Sequence, residues 1–235
     1  MKVIVLNVTP YKEKDAIINA ISEEGFVTFS TRSVFDPKSK NAFLNCPLLI
    51  ADVTFSEGNY KYKSLKSASL IINPMRIDGD YYYLSSMMFL SESTKTMVQE
   101  EDASKAFSYL EAAVEALKNK RDYWAISLIY LAKLVQLSGY SPNTSGCVKC
   151  GSKNNIVAFS FEEGGFLCLD CIDSATIRDL NAQQLLILRK VFMTDNFNDD
   201  FVVNKEDAKP ILNKFFAFID NYLGVKLTSS KLLNK

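Results

Sequence analysis

The sequence predicts an α+β protein of several domains, in which a small N-terminal β-barrel precedes a helical bundle with an inserted four-cysteine module. Three observations support this class. The N-terminal third is rich in short β-branched and aromatic runs. The part that follows shows helical periodicity, and two Cys-x2-Cys pairs interrupt it. We therefore expect domain boundaries at residues 1–78, 79–145, 146–173 and 174–235.

The N-terminal segment predicts short strands. Apolar and β-branched runs at residues 3–8, 26–35, 48–55 and 60–72 are each bounded by turn-forming residues. The segment 15–25 is ambiguous, because local rules favour a helix that Gly25 would terminate. Five short strands in a segment of this length would be typical of a small closed barrel such as an OB-fold.

The remaining segments predict helices. Residues 102–117 and 122–138 carry apolar side chains at helical spacing, and the second of these is apolar nearly all round. That pattern indicates the central helix of a bundle. Asn181 and Gln184 form a predicted capping box for a later helix. Asp207 is the predicted N-cap of the last one, which would put Pro210 in its first turn.

The cysteine spacing indicates a metal site. Cys147, Cys150, Cys168 and Cys171 form a Cys-x2-Cys-x17-Cys-x2-Cys pattern, which favours one structural Zn²⁺ held by four thiolates. Such a sphere is closed and leaves no position for an activated water. Disulfides are an alternative that would require an oxidising compartment. A redox dithiol would require a thioredoxin-like βαβ context, which neither pair has. Cys46 lies in an apolar run and is a predicted core residue.

Two absences indicate a binding protein rather than an enzyme. The 235 residues include no histidine, so no imidazole can act as a general base. The phosphate-binding pattern Gly-x4-Gly-Lys-Ser/Thr is also missing.

The N-terminus lacks a signal-peptide cleavage site and no window is long enough to span a bilayer. We therefore expect a cytoplasmic protein without membrane contact.

In residues 134–171, a buried helix, Gly139-Tyr-Ser-Pro142, the two cysteine pairs and the intervening Gly164-Gly165 follow one another. This order resembles that of the RecO family, the bacterial recombination mediators of DNA repair. The C-terminal segment 218–224 and the motif Tyr11-Lys-Glu-Lys-Asp15 are also similar to family segments. The resemblance implies an OB-fold over residues 1–78, and so implies a second strand within residues 15–25.

The resemblance also implies a function without covalent catalysis. Family members bind single- and double-stranded DNA and anneal complementary strands. With RecR they help load RecA onto strands coated by single-strand-binding protein, so the protein would be associated with the nucleoid during repair. The helical region of the family can also receive the acidic, apolar tail of single-strand-binding protein. The cations that could border such a groove here are Arg121, Lys133, Arg189 and Lys190.

DNA binding requires clustered cations, although the chain as a whole has 27 basic and 27 acidic residues. The predicted barrel offers one local excess of positive charge. Alternation in Tyr60-Lys-Tyr-Lys63 would place both lysines on one face. Lysines that protect an exposed edge strand give the same pattern. The candidate DNA-binding residues are Arg32, Lys38, Lys40, Lys61, Lys63 and Lys66.

The segment 30–40 differs from the family pattern because it carries fewer cations and includes Asp36. We therefore expect modest, strongly salt-dependent DNA affinity that is gained mainly with RecR. One alternative is a zinc-stabilised protein scaffold with little direct DNA binding. A thiol oxidoreductase is a third alternative, and it predicts reactive thiols without a bound metal.

Overall fold

The structure, a computed structural model, describes residues 1–57, 62–174, 176–197, 201–233 and 235. The chain forms two compact units, Met1–Arg121 and Asp122–Lys235. The first unit contains a closed β-barrel and two helices. The second contains three further long helices and a small sheet that carries the four clustered cysteines. The four-part division of the sequence stays a prediction.

Five strands close the N-terminal barrel. They pair in the order β1-β2-β3-β5-β4, and β4 pairs with β1 to complete the ring. The pairing of β3 with β5 is parallel, whereas the neighbouring pairings are antiparallel. This five-stranded closed barrel confirms the predicted OB-like fold. The strands are β1 Lys2–Tyr11, β2 Asp15–Ser22, β3 Gly25–Thr31, β4 Ile50–Ser56 and β5 Lys63–Ile72.

The ambiguous segment is strand β2, as the family resemblance implied and local helix rules did not. Its neighbours β1 and β3 pair with it along both edges. Ala16, Ile18 and Ala20 alternate into the barrel core. Isoleucine is branched at Cβ and packs well on a pleated surface, which favours the strand once two partners are present.

Two helices pack against the barrel within the first unit. Helix α1 spans Tyr81–Met97 and contacts β1, while helix α2 spans Ala103–Lys118 and contacts β1, β2 and β3. The Ser91 hydroxyl in α1 donates a hydrogen bond to the carbonyl of Leu6. The Lys2 ammonium lies 2.7 Å from the Glu111 carboxylate in α2. Buried contacts and polar bonds therefore join both helices to the barrel.

The second unit is built around helix α3, Tyr123–Leu137, which is buried over nearly its whole length. The Asp122 carboxylate accepts a hydrogen bond from the Ala125 N–H and caps the helix. Helices α4, Ala182–Met193, and α5, Lys205–Phe218, pack on α3 and on each other. The predicted central helix is therefore confirmed, and the capping box of Asn181 and Gln184 is present at α4.

The predicted start of α5 was wrong. Asn204 is the N-cap, and its side chain accepts a hydrogen bond from the Asp207 N–H at 2.8 Å. Pro210 is consequently the sixth residue of α5 and does not lie in its first turn. After α5 the chain makes a π-turn at Ile219–Leu223, ends it at Gly224 with φ +66°, and forms the short helix α6, Ser230–Leu233.

The second unit also contains a three-stranded sheet that packs against helix α4. Strands β6, Asn143–Cys147, β7, Ile156–Ser160, and β8, Gly165–Cys168, pair in the order β6-β8-β7. Helix α4 contacts both β6 and β7. We call residues 143–171 the ribbon, because all four clustered cysteines lie in it. Within the described residues, none of the helices combines the length and apolar character needed to span a bilayer.

Candidate metal centre and basic barrel surface

The ribbon brings four thiols together. The Sγ atoms of Cys147, Cys150, Cys168 and Cys171 all lie within 4.8 Å of one another. The Cys150 and Cys168 sulfurs are 3.6 Å apart. Four sulfurs at the Zn–S bond length of a tetrahedral site lie roughly 3.8 Å from one another. The cluster therefore has the donor type and spacing to hold a metal ion.

Backbone hydrogen bonds explain why the sulfurs converge. Cys147 ends β6 beside Phe166 of β8, and the Val148 N–H donates to the Phe166 carbonyl at 2.8 Å. The Gly151 N–H then donates to the Cys147 carbonyl at 2.8 Å, which closes the first cysteine turn. Gly151 has φ +76°, a left-handed conformation that glycine adopts without strain. Two tight turns therefore present one pair of sulfurs each.

The environment of the thiols differs within the cluster. Cys147 and Cys168 are buried, whereas Cys150 is exposed. Burial opposes ionisation of Cys147, but N–H donors from Cys168, Cys150 and Lys149 outweigh it and lower the pKa of the thiol. The pKa of Cys171 is raised, first by hydrogen bonding with the Cys150 and Cys168 thiols. A divalent cation bound to the sulfurs would favour ionisation of the thiols and stabilise all four thiolates.

Little apolar surface supports the ribbon around the thiols. Its buried cluster consists of Cys147, Ala158, Leu167 and Cys168. So small a cluster supplies limited hydrophobic stabilisation, and small modules of this kind normally require a metal or disulfides. All five cysteines are free thiols. Cys46 is a buried residue of the first unit, where burial raises the pKa of its thiol, in agreement with its predicted core position.

The connection between β3 and β4 carries three of the predicted DNA-binding cations. Arg32, Lys38 and Lys40 are all exposed. The Asn41 side-chain amide donates to the Arg32 carbonyl at 3.3 Å, which folds the second half of this segment back onto its start. The three cations therefore belong to one locally folded segment at the end of β3.

Strand β5 carries two further candidates. Lys63 pairs with Phe29 in the parallel β3–β5 ladder, and its ammonium lies 5.3 Å from the centre of the Phe55 ring. Lys66 is exposed at an irregularity in the β4–β5 pairing. Ser30 pairs with Ser64. Lys66 lies two residues further along β5, and Arg32 follows Thr31, the last residue of β3. The β3–β5 pairing therefore places the start of the β3–β4 connection beside β5.

The remaining candidate, Lys61, and its neighbour Tyr60 lie outside the described residues. Strand β5 begins only at Lys63, so the predicted alternation over 60–63 is not tested. Among the residues that the structure does describe, the other five candidates form no ion pair. Their assignment to DNA remains a prediction.

Asp36, which weakened the case for a basic surface in the sequence, is paired with a lysine from another strand connection. Its carboxylate lies 3.0 Å from the Lys14 ammonium. That hydrogen bond, with a second from the Lys38 N–H, lowers the pKa of Asp36. The sequence did not predict this role for Lys14, because Lys14 lies in the β1–β2 turn, 22 residues before Asp36. The Tyr11–Asp15 motif was a signal that could have directed attention to it.

Two of the candidate cations of the helical part have structural roles. Lys133 is buried in α3, and its ammonium lies 2.6 Å from the Asp195 carboxylate. The Arg189 Nε donates to the Thr144 carbonyl at 3.0 Å and its guanidinium lies over the Phe166 ring. Lys190 is exposed, with its ammonium 4.3 Å from the centre of the Phe201 ring. Of these three cations, Lys190 is therefore the most accessible to a binding partner.

The barrel, the helical second unit and the four-thiol ribbon define a multidomain α+β protein of the OB-barrel class. The family model "Recombination protein O C terminal" matches residues 78–231. The DNA repair protein RecO of Thermoanaerobacter sp. (strain X514) is 30% identical over 211 residues, which covers 84% of this chain and 82% of the relative. The chain belongs to the RecO family of DNA repair proteins.

More distant relatives extend the similarity over nearly the whole chain. The DNA repair protein RecO of Halalkalibacterium halodurans is 23% identical, with 99% of this chain and 92% of the relative covered. The corresponding protein of Bacillus subtilis (strain 168) is 22% identical with the same coverage of 99% and 92%. The resemblance based on residues 134–171 is thus confirmed.

Proposed function

We propose that this protein is a non-enzymatic mediator of DNA repair and recombination. It binds single- and double-stranded DNA, anneals complementary strands and, with RecR, helps load RecA onto strands coated by single-strand-binding protein. Membership of the RecO family supports the pathway. The observation that carries DNA binding is the set of exposed cations on β5 and in the β3–β4 connection of the barrel. Such work would place the protein in the cytoplasm, at the nucleoid during repair.

Two kinds of side chain on the barrel support this proposal. Arg32, Lys38, Lys40, Lys63 and Lys66 are exposed cations that could follow a phosphate backbone. Tyr62 is 37% exposed immediately before Lys63 and offers a ring on which a base could stack. Because the whole chain is neutral, long-range attraction is weak and binding depends on these local contacts. Affinity is consequently modest and strongly salt-dependent without RecR.

We assign one Zn²⁺ to Cys147, Cys150, Cys168 and Cys171. The ion supplies a cross-link between the two cysteine turns and no reaction chemistry, because four thiolates close its coordination sphere. We further propose that the tail of single-strand-binding protein docks on the helical part, where exposed Lys190 beside Phe201 offers charge and apolar surface. The proposed DNA-binding residues are in the other unit.

Strand annealing with matched lysine variants tests the DNA-binding proposal. Lys40→Gln combined with Lys66→Gln removes two exposed cations from the barrel. If each contacts one phosphate of single-stranded DNA, the slope of log affinity against log salt falls by about 1.4. Annealing slows accordingly. The control, Lys105→Gln with Lys231→Gln, removes two exposed lysines elsewhere and leaves the slope unchanged.

Two outcomes contradict the proposal. Equal losses in both double variants mean that DNA is attracted by the overall charge and not by the exposed barrel cations. Absence of annealing by the wild-type protein, with and without RecR, favours the alternative of a zinc-stabilised scaffold. Metal content distinguishes either function from the thiol oxidoreductase, which requires free reactive thiols.

A further inference from the structure

The second unit contains a cleft that the proposed DNA-binding function does not use. It has a volume of about 470 Å³ and lies between the β7–β8 turn of the ribbon and the C-terminal end of α5. Phe161, Glu162 and Glu163 line it from the ribbon, and Lys214, Phe218 and Tyr222 line it from the helical side. We call it the ribbon–helix cleft. Its size is within the ordinary range of ligand-binding pockets.

Stacked aromatic rings form one wall of the cleft. The Phe161 and Phe218 rings are 4.3 Å apart and nearly parallel, with an interplanar angle of 17°. The Tyr222 ring stacks on Phe218 at 5.4 Å and 23°. Phe161 and Phe218 are buried, whereas Tyr222 is 55% exposed. The stack therefore ends at the cleft in a ring with substantial solvent-exposed surface.

The charge of the cleft is strongly asymmetric. Its lining includes Glu162, Glu163, Asp173 and Asp179 but one cation, Lys214, among the described residues. Lys214 lies 2.9 Å from Asp179, and the exposed Lys149 lies 3.5 Å from Glu163. The Glu162 carboxylate instead accepts a hydrogen bond from the neutral Tyr222 hydroxyl at 2.7 Å. This bond raises the pKa of Tyr222. Among the described residues, Glu162 forms no ion pair.

This combination of charge and shape excludes a phosphate backbone and favours a flat cation. A guanidinium group can stack on an aromatic face while its N–H groups donate to an adjacent carboxylate. An ammonium group has no plane with which to stack, and its three rotatable donors lack the rigid planar arrangement that binds a carboxylate bidentately. Tyr222 and Glu162 are joined by a hydrogen bond, so ring and carboxylate are close enough to contact one arginine side chain.

We propose that the ribbon–helix cleft docks an arginine-bearing segment of a protein partner, with the guanidinium stacked on Tyr222 and paired with Glu162. This docking site is independent of the barrel cations, which belong to the other unit. It gives the protein a separate surface for a basic partner.

Peptide binding to the full-length zinc-loaded protein tests this proposal without DNA. The probe is the fluorescein-labelled peptide Gly-Leu-Arg-Gly-Arg-Leu-Gly, and its comparison peptide carries lysine at both arginine positions. Fluorescence anisotropy gives the dissociation constants, and amide chemical shifts locate the peptide on the protein. We expect the arginine peptide to bind several-fold more tightly than the lysine peptide and to shift resonances of Glu162 and Tyr222.

Four variants separate the roles of ring and charge. Glu162→Gln and Tyr222→Ala each weaken binding of the arginine peptide about tenfold, because one loses the ion pair and the other the stacking surface. Tyr222→Phe keeps the ring and frees Glu162 from its hydrogen bond, so it binds within about twofold of wild type or more tightly. Glu206→Gln removes an exposed carboxylate outside the cleft and serves as the matched control.

The outcomes are decisive in both directions. Loss of binding in Glu162→Gln and Tyr222→Ala, with retention in Tyr222→Phe and Glu206→Gln, supports the cleft. Equal affinity for the two peptides, equal loss in Glu206→Gln, or shifts confined to other surfaces overturns it. Trp124 fluorescence checks that each variant is folded. Strand annealing, measured in parallel, shows whether a failure concerns this cleft or the proposed DNA-binding function.

Discussion

Two adjacent glycines in the ribbon differ in the space around them. Gly164 and Gly165 both have positive φ, +83° and +147°. A Cβ at Gly164 would meet nothing within 4 Å, whereas one at Gly165 would lie 2.2 Å from the carbonyl oxygen of Asn143. That oxygen belongs to β6, which pairs with β8 at this position. Gly165 therefore allows the close strand approach that positions the cysteines.

Replacing these glycines gives a matched pair of variants. We expect Gly164→Ala to cost about 1 kcal/mol, the ordinary penalty for a side chain at positive φ. Gly165→Ala should cost more than about 3 kcal/mol, because backbone strain is combined with a clash against β6. Chemical denaturation followed by the fluorescence of Trp124, the single tryptophan of the chain, measures both. Equal costs would contradict the close approach.

At the scale of secondary structure elements, the start of α5 depends on its cap. The Asn204 side chain accepts from the Asp207 N–H, and the Asn204 amide donates to the Asp207 carboxylate at 2.9 Å. Starting the helix at Lys205 places Pro210 inside it, where proline cannot donate to the carbonyl of Glu206. The hydrogen bond of the Asn204 cap offsets part of the stability that is lost at Pro210. Removing the cap should therefore destabilise the first two turns of α5.

Substitutions at the two cap residues distinguish the observed start from the start predicted by sequence. Asn204→Ala should destabilise the second unit by about 1 kcal/mol. Asp207→Ala should cost about half as much, because it removes a favourable helix-dipole interaction but not the cap. Asn204→Ser keeps an acceptor and should be nearly neutral. Thermal unfolding monitored by Trp124 fluorescence compares the variants. A larger loss of stability in Asp207→Ala than in Asn204→Ala would favour Asp207 as the N-cap, as the sequence predicted.

Elements with a strong local signal could be predicted, and those determined by distant partners could not. The capping box of Asn181 and Gln184 is read from four adjacent residues, and it is present at α4. Strand β2 has helix-compatible residues, and only pairing with β1 and β3 makes it a strand. The start of α5 was misplaced because Asn204 and Asp207 are both good N-cap residues by local rules.

The candidate sites show the same division. The cysteine cluster follows from spacing, because short turns hold each pair. The basic surface depends on which connections meet at one end of the barrel, as with Lys14 and Asp36. The ribbon–helix cleft depends on the approach of α5 and the Ile219–Leu223 turn to the β7–β8 turn. The bond between Tyr222 and Glu162, which are 60 residues apart in sequence, shows this approach. Periodicity and spacing carry no information on such contacts.

At the scale of the whole molecule, each compact unit has its own core. The barrel encloses residues such as Ile18 and Phe29, while Trp124 and Ile126 are buried in the second unit. The ribbon belongs to the second unit, and α4 packs against β6 and β7. Stabilisation by a metal in the ribbon is therefore coupled to the helices of that unit. The barrel has no ligand in the four-thiol cluster.

Metal removal should consequently destabilise one unit selectively. We expect one Zn²⁺ per chain in the purified protein and in Cys46→Ala, and less in Cys171→Ser. A strong chelator should lower the unfolding midpoint of the second unit by at least about 10 °C, because metal binding free energy contributes directly to folding. Methyl resonances of Ile126 and Ile18 report on the two units separately. If the native resonances of both residues disappeared together, the barrel would also depend on the metal. An unchanged unfolding midpoint would show that zinc does not stabilise the fold.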